Sequence, residues 1–180
     1  MSRKAFFIGF TIILTLSFLI FPPLTYAEQY YLHYPGTVFT ARNEDAAYIK
    51  GTTYCQLYHN DTNDEYYYCP VDFNVPDGSV HFIKSLSIRN LDNLTDGRLF
   101  VELRRCNIFN SAYHPVAAWS GSTAIANPST VNVNVASNPG FKLIDTKKFT
   151  YYLIVKFERD GDLNPGASLK LYQIRIHYGT

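Results

Sequence analysis

The segment Asp160-Gly161-Asp162-Leu163-Asn164 carries side-chain oxygens at its first, third and fifth positions, the spacing with which a calcium-binding loop opens. Asp160, Asp162 and Asn164 are therefore the candidate metal ligands, and calcium is the only cofactor the sequence suggests. The continuation departs from an EF-hand: Pro165 stands where the loop requires glycine, and Leu171 where it requires a bidentate glutamate. Asp, Asn, Gly and Pro are also turn formers, so a hairpin turn accounts for the same residues. His33, His59, His81, His114 and His177 never occur at H-x-H or H-x3-H spacing, so a zinc site would have to be assembled by the fold. No nucleophile elbow, phosphate loop or dinucleotide fingerprint is present. The adjacent carboxylates Glu44-Asp45 and Asp64-Glu65 sit in polar turn sequences, and no catalytic residue is assigned.

Aromatic residues offer a different chemistry. Tyr66, Tyr67 and Tyr68 are consecutive, so in an extended strand at least one points away from the face the others fill. Trp119 precedes a Ser-Gly-Ser-Thr stretch. These four residues are the candidate ligand-binding set, because Tyr and Trp join a large apolar body to a polar tip and can stack on sugar rings or anchor a partner. Ordinary cross-strand packing uses the same residue types.

The three cysteines are Cys55, Cys69 and Cys106. Cys55 and Cys69 flank an aromatic run, a polar turn and a second aromatic run. A hairpin centred on Thr62 sets Cys55 opposite Cys69, at the ~4.5 Å Cα separation of a non-hydrogen-bonded pair, which a disulfide tolerates. A Cys55–Cys69 bridge is expected, leaving Cys106 as a buried thiol or a link to another chain.

Positioning these residues falls to strands. Residues 149–158 place Phe149, Tyr151, Leu153, Val155 and Phe157 on one face. Residues 130–136 alternate valine with asparagine, and Leu99, Val101 and Leu103 oppose Phe100, Glu102 and Arg104. This is the period of two that marks half-buried strands. In residues 168–178, Leu169 and Leu171 share one parity and Ile174, Ile176 and Tyr178 the other, which predicts a bulge near Tyr172. Further strands are expected at 46–58, 66–71, 79–89 and 116–120, with turns at Val75-Pro76-Asp77-Gly78 and Asn138-Pro139-Gly140. No helical period is sustained in this stretch. The expected fold is all-β, an antiparallel β-sandwich or jelly roll of about eight strands after an N-terminal signal helix.

The chain opens with Arg3-Lys4, an apolar run to Phe21, the helix-breaking Pro22-Pro23, and small residues at Thr25 and Ala27. That is the pattern of a cleavable signal peptide at 1–27, followed by one domain at 28–180. After cleavage 14 basic residues face 15 acidic ones, a net charge of −1. This balance argues against a nucleic-acid partner and against a polybasic membrane contact. A secreted, periplasmic or cell-surface location follows. The expected partners are an extracellular ligand or identical subunits.

Several short motifs recur in order: Cys69-Pro70-Val71, Pro76-Asp77-Gly78-Ser79, Leu103-Arg104-Arg105, Ile144-Asp145 before Tyr151-Tyr152-Leu153, and Ile174-Arg175-Ile176-His177-Tyr178. In these the chain resembles a family of exported bacterial domains, mostly of uncharacterised function, over about Tyr67 to Tyr178. It departs from the family at Ser79, where alanine is usual, and through 110–135. The resemblance implies a β-sandwich and export, and it implies no activity. The expected function is a non-enzymatic module acting through its surface, by ligand or glycan binding, adhesion or self-assembly. The alternatives are a jelly-roll enzyme acting on extracellular glycans and a purely structural subunit of a cell-surface assembly.

Overall fold

The structure, a computed structural model, describes residues 27–42, 48–50, 54–57, 65–92, 97–121, 127–159 and 169–180. The expected signal segment, apart from Ala27, and the calcium-loop candidates Asp160, Asp162 and Asn164 lie outside the described residues. The strands, in chain order, are β1 (Gln29–Pro35), β2 (Thr40–Ala41), β3 (Tyr48–Lys50), β4 (Cys55–Leu57), β5 (Glu65–Val71), β6 (Phe82–Asp92), β7 (Gly97–Asn107), β8 (Tyr113–Gly121), β9 (Ser129–Asn134), β10 (Phe149–Arg159) and β11 (Leu169–Gly179). A single helical turn, α1 (Pro139–Lys142), is capped by the Asn138 side chain, which accepts from the Gly140 N–H.

One sheet runs β3-β4-β11-β6-β9, with β1 also paired to β11, and the other runs β2-β5-β10-β7-β8. Every recorded strand pair is antiparallel. The chain changes sheet at each link from β4 to β7, makes the β7–β8 hairpin, and changes sheet again at each link from β8 to β11. That winding is a jelly roll.

The facing sides of the sheets bury the alternating apolar sets. Leu99, Val101 and Leu103 of β7 and Leu153, Val155 and Phe157 of β10 are fully enclosed, as are Ile83, Leu86, Ile88, Leu171, Ile174 and Ile176 from the other sheet. The bulge lies where parity places it: the β11–β6 register shifts between Leu171 and Gln173. Tyr151 shows why its motif is spaced as it is. Its hydroxyl donates to the Leu143 carbonyl at 3.2 Å and accepts the Asp145 N–H at 3.0 Å, tying the β9–β10 link to the core. Ser79 has a local use too, its hydroxyl closing the Pro76 turn at 2.6 Å.

The Cys55–Cys69 hairpin does not form. β4 pairs with β3 and β11 in one sheet, while β5 pairs with β10 and β2 in the other. Cys69 is a free, buried thiol. The local aromatic match lost to a pairing far away in sequence, in which seven consecutive residues of β5 register with β10. Pro115 lies inside β8 rather than before it, a position tolerated because β8 is an edge strand.

Candidate functional site

Alternation in β5 sends Tyr67 inward and Tyr66 and Tyr68 outward. Tyr67 is fully buried and meets Phe157 edge-on at 5.3 Å between ring centroids. The outward residues of four strands line up in three rows across the five-stranded sheet: Tyr66, Lys156, Phe100 and Ser120; Tyr68, Ile154, Glu102 and Ala118; and Pro70, Tyr152, Arg104 and Pro115. Below them the corner row holds Thr150, Cys106 and Tyr113.

This face is drier than an exposed sheet surface. Ile154 is 4% exposed and Glu102 5%, although both point away from the core between the sheets. Glu102 is held by a two-pronged contact from Arg104, Nε to Oε1 at 2.8 Å and Nη2 to Oε2 at 2.6 Å. The same guanidinium lies 4.5 Å over the Tyr113 ring. The Glu102 hydrogen bonds raise the Arg104 pKa further, so the group is charged at every accessible pH. Burial pushes the Tyr152 phenol up, and its hydrogen bond and charge contact with Arg104 pull in the opposite direction. Lys156 Nζ bonds Glu158 at 2.5 Å and sits 5.3 Å from the Tyr66 ring centre, while Arg98 reaches Glu158 at 3.7 Å. Tyr68 and Tyr152 rings lie 6.5 Å apart. The described carboxylates of this face are thus each engaged by a cation, so the face offers half-buried aromatic rings with its charges already matched.

Trp119 belongs elsewhere. It pairs with Val101 in an inward row, packs partly buried against the core, and lays its indole over Gly121, where an added Cβ would collide with the ring. The reason is a bulge: Leu103 pairs with Ala117 and Arg104 with Pro115, leaving Val116 as an extra residue. That insertion flips the parity of everything after it. The structure therefore brings Tyr66 and Tyr68 to one face, buries Tyr67 in the core and turns Trp119, partly buried, to the inward side. The residues that complete the face, Phe100, Glu102, Arg104, Tyr152 and Ile154, were visible only as the outward half of two alternating strands.

Among the described residues no group of three His, Cys, Asp or Glu side chains could hold a metal ion, and no helix is long and apolar enough to cross a membrane.

No family model matches the sequence, and no curated protein matches it. Two solved structures are similar in arrangement. "Structure of infectious bursal disease virus Gx strain" is 10% identical with a TM-score of 0.40, covering 84% of this chain and 32% of that one. "Structure of infectious bursal disease virus Gt strain" is 12% identical with a TM-score of 0.35, covering 88% of this chain and 36% of that one. The chain spans about a third of the length of these matched chains, and likeness at this level carries no information on function.

Proposed function

We propose that the protein is an exported, non-enzymatic jelly-roll module that works by contact, and that the outer face of its five-stranded sheet is the contact surface. The observation that carries this reading is the grid of half-buried Tyr66, Tyr68, Phe100 and Tyr152 around a buried Ile154. It is an aromatic field with Glu102 sealed beneath Arg104. Such a field with satisfied charges suits an apolar surface, such as a second copy, or the faces of sugar rings on an extracellular glycan. Aromatic side chains supply such contacts at low entropic cost because they have only two side-chain torsions. Cys106 lies at the corner of the same face, so a reductant-sensitive dimer would fit the same contact.

The test is light scattering of the purified exported protein, with and without reductant, alongside glycan-array binding. Both are repeated with the double substitution Tyr68→Ser and Tyr152→Ser. Self-association or array binding that drops at least tenfold in the variant supports the reading. A wild-type protein that neither associates nor binds, or a variant that behaves like it, refutes the reading. Release of cleaved glycan from the array would replace it with the enzyme alternative.

A further inference from the structure

The opposite face of the molecule, the outer side of the six-stranded sheet, has a different character. Its outward positions on the paired stretches of β1, β11, β6 and β9 are Tyr31 and His33; Gln173, Arg175 and His177; Ser85, Ser87 and Arg89; and Thr130, Asn132 and Asn134. None is a carboxylate. Arg175 pairs with Ser87, and Arg89 follows Ser87 by two residues on the adjacent strand, so the two arginines are diagonal neighbours about 7–8 Å apart at the backbone. Neither forms an ion pair with any described residue. Each guanidinium instead rests against an aromatic ring, Arg175 at 5.4 Å from the Tyr31 centroid and Arg89 at 5.8 Å from that of Tyr172. Both guanidinium groups therefore keep their charge without a carboxylate partner among the described residues.

Between them is a cavity of about 290 Å³ lined by His33, Ser87, Arg89, Thr130, Gln173 and Arg175. That is near the lower end of small-molecule pockets, roughly 300–1,000 Å³. The two arginines supply its donors, and Thr130 adds a hydroxyl. The Gln173 amide nitrogen lies 2.9 Å from His33 Nδ1; with the amide as donor, His33 carries its proton on Nε2. Ser87 directs its hydroxyl proton to Asn132 Oδ1 at 2.7 Å, which fixes its rotamer on the cavity wall. In the neighbouring row His177 is held below its usual pKa mainly by burial, with smaller contributions from Lys84 and Arg175.

From two arginines on one cavity wall, neither ion-paired to a described residue, and a lining that holds no carboxylate among the described residues, we infer that this cavity is an oxyanion site for a tetrahedral sulfate or phosphate group, either free or as an ester on a larger extracellular chain. Arginine forks match such groups with two parallel hydrogen bonds. The site shares no residue with the aromatic face and stands independently of the role proposed for it.

Calorimetry of the purified protein at physiological ionic strength, titrated separately with inorganic sulfate, inorganic phosphate, dextran sulfate and neutral dextran, tests the inference. Saturable binding of an inorganic anion identifies a free-anion site; binding of dextran sulfate alone identifies an ester on a chain. In either case Arg175→Gln and Arg89→Gln each weaken binding at least tenfold, Arg175→Lys recovers part of it, and Lys147→Gln, an exposed cation elsewhere, leaves it unchanged. Circular dichroism confirms that the surface variants remain folded. No saturable binding of any anion, equal binding of neutral dextran, or binding indifferent to both arginine substitutions overturns the inference.

Discussion

Removing one partner of the Glu102–Arg104 pair should have asymmetric consequences. The two side chains are buried to different degrees: Glu102 is 6% exposed and Arg104 25%. Losing one member of a buried pair costs about 3–5 kcal/mol because the other charge is stranded, whereas an exposed pair is worth about 0–1 kcal/mol. Arg104→Met strands Glu102, which has almost no path to water, so its cost belongs to the first regime, about 3 kcal/mol or more. Glu102→Gln keeps shape and leaves Arg104 with its long stem able to turn toward solvent; its cost is about 1–2 kcal/mol. The double variant removes the stranded carboxylate and should be more stable than Arg104→Met alone. For a domain of this size each kcal/mol moves the melting temperature by roughly 2–4 °C, so Arg104→Met should melt on the order of 10 °C lower. Urea unfolding of the wild type, both single variants and the double variant measures the cycle. If Glu102→Gln costs more than Arg104→Met, or if the double variant is the least stable of the four, the assignment of Glu102 as the sealed partner is wrong.

Other outcomes follow from single residues. Burial raises the Cys69 pKa and keeps the thiol enclosed; alkylation of the native protein should modify Cys106 first and Cys69 only on unfolding, and intact mass should show no Cys55–Cys69 bridge. Burial is the largest cause pushing the Tyr34 phenol up to about 12. Its stabilising contribution is therefore complete below pH 10, the unfolded value, and is lost as pH rises toward 12; tyrosinate absorbance should show a group of phenols titrating late, since Tyr30, Tyr151, Tyr152 and Tyr178 are raised as well, and Tyr34→Phe should shrink that late group by one phenol. A Cβ at Gly121 would strike the Trp119 indole, so Gly121→Ala should destabilise by about 1–3 kcal/mol and shift the fluorescence of the lone tryptophan.

The long strands were legible because their alternation survives to the folded state. Residues 149–158, with apolar side chains at every odd position, became β10 with the same inward set. The parity break after Leu171 became the bulge at Tyr172. What failed was pairing. The aromatic runs around Cys55 and Cys69 look mutually complementary, but the Cys69 run registers over seven residues with β10 while the Cys55 run joins β3 and β11 in the other sheet, and loop-closure entropy grows too slowly with distance to prevent it. The side on which Trp119 falls was not readable, since nothing in Pro115-Val116-Ala117 announces that Val116 is an insertion. β1 is absent from the strands expected from sequence because Tyr30 and Tyr34 face inward while Tyr31 faces outward. Tyrosine at both parities hides the period. The aromatic face itself was half legible: the outward halves of β7 and β10 were readable, but their alignment with Tyr66 and Tyr68 depends on register.

β11 is the hub of its sheet, with β6 along one side and β1 and β4 in succession along the other. The first of these partners begins at Gln29, and Thr180 hydrogen-bonds Glu28 through both backbone and side chain. β11 therefore bridges two units that pair without it, β3 with β4 and β6 with β9, and adds β1 from the far end of the described residues. Removing this one strand would leave two separate hairpin-sized pieces and an unpartnered β1 instead of a sheet. Closing the sheet thus rests on contacts distant along the chain, which makes its folding correspondingly slow.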